Sequence, residues 1–190
     1  MDYFKKTFSI ANNKFLAKEL SLIKSDVSER CICASLKSFI EHEIQKNLKY
    51  QKYYVDVEYN RNAGHVKTII NDKEEIIRIT CDLIVHSRGE NENHDNLIAL
   101  EMKKSYRPQK EKDEDRNRLI ALTKSTSTNE IWSYDGKTFP EHVCGYSLGV
   151  YYEIDIPNEI IMIEYYIHGK LVEKFYKKFL NVNKKRRLPQ

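Results

Sequence analysis

The chain has 190 residues, 41% hydrophobic and 32% charged, with a formal net charge of +4. A real core is affordable beneath such a charged surface, and the mild positive charge permits nucleic acid as a partner without demanding it. No apolar run reaches the ~18 residues of a membrane span, and the opening MDYFKKTFSIANNKF has no apolar leader segment, so a cytoplasmic protein with no membrane contact is expected.

Residues 9–24 read as a helix of weak pattern. Over 27–48 the apolar residues Ile32, Leu36, Phe39, Ile40, Ile44 and Leu48 recur at helical spacing, with Asp26 or Ser28 as the cap. The period then changes to two. YVDVEY (54–59) alternates like a strand, and 66–70, a turn at 71–73 and 75–86 read as a hairpin. Residues 97–102 form a short apolar strand. Residues 110–124 form a helix charged on most sides, with Leu119, Ile120 and Leu122 to pack, and 146–154 are another strand. Residues 159–167 and 171–179 flank His168-Gly169-Lys170 as a hairpin, or as a strand followed by a helix, before a frayed KKRRLPQ tail. This order predicts an α/β or α+β mixed sheet with flanking helices. Cys31 and Cys33 form a C-x-C, not the paired C-x-x-C of a zinc site, so free buried thiols are expected.

Charges interrupt the strands. Alternation along LIALEMKK puts Leu97, Ala99, Glu101 and Lys103 on one face and Ile98, Leu100, Met102 and Lys104 on the other. Asp82 lies on the neighbouring strand. With antiparallel strands ~5 Å apart, Asp82 and Glu101 converge to a span that one divalent cation bridges, if the register allows. Two such carboxylates repel unless neutralised, and oxygen donors without His or Cys favour Mg2+ or Mn2+. Lys103, on the same face, would orient a water or stabilise developing negative charge. The structural alternative is a surface Glu101–Lys103 ion pair, worth little. On the second helix Glu29 falls amid Ile32, Leu36 and Ile40, near the N-terminus where an acid is favoured. Glu43 shares that face, but at about 1.5 Å per residue it lies some 21 Å away, so both cannot reach one metal, and a surface ion pair is expected for it.

Taken in order, SER (28–30), VDVEYNR (55–61), CDLIVHSRG (81–89) and NLIALEMKKS (96–105) resemble the PD-(D/E)XK nuclease superfamily, the restriction-endonuclease-like fold, and within it a group of small stand-alone bacterial members. The helix DEDRNRLIALT and the strand YSLGVYYE add to the resemblance, which covers about residues 27–153. It implies a metal-dependent nuclease acting on nucleic acid, DNA more than RNA, in phage defence or repair. Asp82 and Glu101 would bind Mg2+ (or Mn2+), with Glu29 and the backbone carbonyl of Met102 completing the site, and Lys103 would position the attacking water. Candidate phosphate contacts are Arg61, Arg88, Lys104, Arg107 and Arg118. Cys81 stands where the group usually has proline, a position without chemistry. Glu58, Tyr59 and Asn60 match the group's pattern with no chemistry assigned. The expected organisation is one nuclease-like domain over 1–190, its core about 27–153, with a helical extension at 1–26 and a C-terminal addition at 155–190. Since 190 residues leave no room for a specificity domain, target choice falls to a partner, to a homodimer, or to nothing. The alternatives are a catalytically inactive nucleic-acid-binding module and a subunit of a larger defence or repair assembly.

Overall fold

The computed structural model describes residues 2–59, 61–62, 65–66, 68–70, 76–78, 80–91, 94–124 and 144–179. Along the chain come α1 (Asp2–Lys24), α2 (Glu29–Ile44), a 3-10 turn (Leu48–Tyr50), β1 (Tyr54–Val57), β2 (Arg61–Asn62), β3 (His65–Val66), β4 (Thr68–Ile70), β5 (Ile76–Arg78), β6 (Leu83–His86), β7 (Asn96–Lys104), α3 (Gln109–Leu122), β8 (Leu148–Asp155), β9 (Ile160–Ile167) and β10 (Lys170–Lys178). A six-stranded mixed sheet runs β1-β6-β7-β8-β9-β10, and β2-β3 and β4-β5 are separate pairs. The fold is therefore mixed α/β. No helix among the described residues is long and apolar enough to cross a membrane.

The segment expected as an N-terminal extension is part of the core. Phe4, Phe8, Ala11, Phe15 and Leu16 recur at helical spacing and are buried with Ile23. Each Phe, Leu and Ile side chain among them contributes roughly 1.5–3 kcal/mol on burial. Two polar residues, Thr7 and Asn12, lie in the same helix and are also buried. Asn12 Oδ1 accepts a hydrogen bond from Tyr152 Oη at 2.8 Å, on β8. Ser28 caps α2, accepting from the Cys31 amide at 3.3 Å. The helix stops at Ile44, earlier than its apolar period suggests, and Leu48 is left 81% exposed.

The strand expected over 75–86 is two strands. β5 pairs with β4, whereas β6 pairs with β1 and β7, so the chain changes partners between Arg78 and Leu83. The parallel pair β7–β8 is joined through α3, as parallel neighbours require a long crossover. The C-terminal addition is also integral: β9 and β10 extend the sheet, and Ile161, Ile163, Tyr165 and Ile167 join the core. These strands form a hairpin because His168 and Gly169 take φ of 50° and 71°, the two left-handed residues of a type I′ turn.

The sheet's two faces have different covers. Helices α1 and α2 bury Leu83, Val85, Ile98, Leu100, Val150 and Tyr152. Helix α3 covers Ile84, Ala99, Tyr151 and Tyr166. Leu97 departs from simple alternation: the β6–β7 ladder shifts register between Val85 and His86, and Leu97 packs with Ile98 on the α1–α2 side. Cys33, Cys81 and Cys144 are buried thiols as expected, but Cys31 is exposed.

Candidate active site

Strand β6 begins at Leu83, opposite Leu100, so the last four residues of β7 overhang it. Backbone amides left without a ladder partner need another acceptor. Asp82 Oδ2 accepts from the Met102 amide at 2.7 Å, and Glu29 Oε1 accepts from the Lys104 amide at 2.9 Å. Thus the residue preceding β6 and the first turn of α2 both bring carboxylates to the C-terminal end of β7. One step beyond Leu83–Leu100 in the register sets Asp82 opposite Glu101, close enough for the Asp82 charge to bear on the Glu101 carboxyl.

Glu101 and Lys103 point to the α3 side but do not pair with each other. Glu101 is 1% exposed, and its Oε1 receives Arg118 Nε at 2.9 Å and the Cys81 thiol at 3.5 Å. Lys103 Nζ lies 3.1 Å from Asp115 Oδ2, and Arg118 Nη2 donates to Asp115 Oδ1. Four buried or half-buried ionisable groups, acid and base in turn, therefore follow one another: Glu101, Arg118, Asp115, Lys103.

Burial lifts the Glu101 carboxyl to about 8, and neighbouring Asp82 pushes the same way; Arg118 favours the ionised form but is outweighed. Burial likewise raises Asp82 against the pull of the Met102 amide and Lys103. It raises Asp115 against Arg118 and Lys103. Burial works to discharge Lys103, yet Asp115 and Asp82 prevail and hold its ammonium above the ordinary value.

No family, curated protein or solved structure matches this chain.

Among the described residues no group of three or more His, Cys, Asp and Glu is arranged to hold a metal ion. Magnesium does not need one. It keeps several waters and is bound through one or two carboxylates. Two neighbouring carboxylates, Glu101 buried and pushed to about 8 and Asp82 partly exposed and also raised, suit a small hard cation that removes their repulsion. The donor set fits Mg2+ or Mn2+ on those grounds.

The phosphate candidates fare unequally. The side chain of Arg61 lies outside the described residues. Lys104 is 3% exposed, and its Nζ donates to the Asp26 carbonyl at 3.0 Å, so it is a tie between β7 and the end of α1, not a surface cation. Arg118 is likewise no surface charge, being engaged by Glu101 and Asp115. Arg107 is half exposed, with Nε 3.5 Å from Glu29 Oε1. Arg88 is exposed at its edge but gives Nε and Nη2 to Asp56 at 2.8 and 2.7 Å and lies 4.1 Å over the Tyr54 ring. His86 Nε2 meets the same Asp56 at 3.0 Å, so Asp56 of VDVEY serves to anchor His86 and Arg88 of VHSRG. These contacts hold Asp56 below its ordinary value although burial opposes them. Glu58 pairs with Arg30 at 3.1 Å.

Met102 enters the site through its amide. Glu43 lies far from it, as expected, but is buried instead of on the surface, held by Lys14 and Lys46. The residue that sequence reading missed is Asp115. Its signal was an acid on the stripe that α3 buries through Leu119 and Leu122, four and seven residues on.

Proposed function

We propose that this protein is a divalent-metal-dependent nuclease of restriction-endonuclease-like fold, hydrolysing phosphodiester bonds of nucleic acid, DNA in preference to RNA. The observation that carries this reading is that Asp82, just before β6, and Glu101 of β7 meet at one strand end, with Lys103 on the Glu101 face and Glu29 at the Lys104 amide. Asp82 and Glu101 would hold Mg2+ or Mn2+, with Glu29 and the backbone of Met102 beside them. Such a cation, when bound, polarises a phosphoryl oxygen and lowers the pKa of a bound water. Lys103 is held charged by Asp115, so it acts as a cation and not as the base: it would steady the charge that grows on the phosphoryl oxygens and orient the incoming water. Arg118 Nε donates to Glu101 Oε1 in the absence of a cation.

The test is purified protein incubated with plasmid and with single-stranded DNA and RNA, with Mg2+, with Mn2+ and with chelator. Metal-dependent cleavage that Asp82→Asn removes is the expected result. Wild-type protein that cleaves none of these with either metal overturns the proposal.

A second reading has its own observation. Every acid and base of the site has an internal partner, as in a closed structural network. A catalytically inactive nucleic-acid-binding module would bind the same substrates without cutting them, and Asp82→Asn would leave that binding intact.

A further inference from the structure

Arg118 joins two carboxylates that arrive on different elements, Glu101 from β7 and Asp115 from its own helix. Nε is 2.9 Å from Glu101 Oε1, while Nη2 donates to Asp115 Oδ1. Both acids are 1% exposed, whereas the Arg118 side chain is 26% exposed. The arginine is therefore the member of the network that has room to move. Its guanidinium is always charged and presents Nε and Nη2 as one rigid fork, able to serve a single carboxylate with two bonds or two carboxylates with one each. Here it is divided. Asp115 has its other oxygen toward Lys103, at 3.1 Å.

We propose that Arg118 is a resident counter-ion for Glu101, yielding that carboxylate and keeping Asp115 when a divalent cation binds. The inference rests on the reading of Asp82 and Glu101 as cation ligands. It makes Arg118 a positioning residue that lowers metal affinity, because a cation drawing on Glu101 Oε1 competes with Arg118 Nε for that oxygen. It also ties metal loading to Lys103, because the arginine then shares Asp115 with that lysine alone.

The experiment is a calorimetric titration of Mn2+ into the metal-free protein, with thermal melts to confirm folding. Asp82→Asn in each background reports on the site itself. Arg118→Met is expected to bind Mn2+ roughly tenfold or more tightly, the worth of one hydrogen bond to a charged group. Arg118→Lys keeps the charge but cannot bridge both acids, and is expected to bind more tightly than wild type by a smaller factor. Asp115→Asn leaves Arg118 to Glu101 alone and is expected to weaken binding. Arg118→Lys binding no more tightly than wild type overturns the counter-ion role, since net charge would then explain any gain in Arg118→Met. Asp115→Asn binding more tightly than wild type overturns it too. Should Arg118→Met not fold, the lysine and asparagine variants carry the same decision. If Asp82→Asn abolishes binding while Arg118→Lys matches wild type, only this inference fails. If Mn2+ binding survives Asp82→Asn, or neither wild type nor Arg118→Met binds Mn2+, the site reading fails with it.

Discussion

Glu101→Gln gives the most direct measure of what the buried acids cost. Burial and Asp82 move the Glu101 carboxyl from an ordinary 4.5 to about 8. At 1.36 kcal/mol per unit, that is on the order of 5 kcal/mol between the protonated and ionised protein. The folded value lies above the unfolded one, so the stability linked to this proton is fully present below about pH 4.5 and is lost as pH rises through 8. Asp82 and Asp115, also raised, add to the loss in the same sense. His94, lowered by burial and Lys49, works the opposite way, but equally in both proteins. Glutamine keeps the shape and an oxygen for Arg118 while removing the ionisation. In chelator, wild-type protein is expected to lose stability between pH 5 and pH 8, and Glu101→Gln to lose less. The variant is thus the more stable of the two at pH 8. Urea unfolding followed by circular dichroism at several pH values measures this, with an unchanged m-value as the check on two-state behaviour. Parallel curves for the two proteins would refute the claim that Glu101 is the strained group.

Lys103→Ala is expected to lower metal-dependent cleavage by roughly 100-fold or more while Mn2+ titration stays within a few-fold of wild type, since the ammonium acts on charge and not as a ligand; full activity would remove Lys103 from the mechanism. Glu29→Gln is expected to cut metal-dependent cleavage sharply with the fold retained, its amide oxygen still accepting from Lys104. Glu43→Gln is expected to cleave like wild type but to lose about 1.5–3 kcal/mol in denaturant unfolding, because its two lysine contacts weaken; the opposite pattern would exchange the two acids' roles. Gly149→Ala is expected to cost about 1–3 kcal/mol, measured by thermal melting, because its Cβ would stand 3.0 Å from Thr123 Cγ2 and 3.1 Å from Tyr166 Cβ, where α3 meets the sheet.

What the sequence determined by itself was what a chain segment's own geometry dictates. The period of α2 and its Ser28 cap were legible, as were the alternation that sets Glu101 and Lys103 on one face of β7 and the turn residues His168 and Gly169. Each depends on neighbours within a few residues. Partnership across the fold was not legible. α1 passed for an extension because residues 1–26 lie outside the resemblance, and what ties it in is distant: the hydroxyl that meets its Asn12 belongs to Tyr152, 140 positions away. The single strand expected over 75–86 divides because its halves pair with different strands. Arg118 and Lys104 had the composition of surface cations. Only tertiary structure turned Arg118 onto Glu101 and sank Lys104 beneath the loop that carries Asp26. A charge declares its sign in the sequence. Whether it faces water or another charge depends on which distant backbone stands opposite, and on the desolvation that makes a buried ion require a partner.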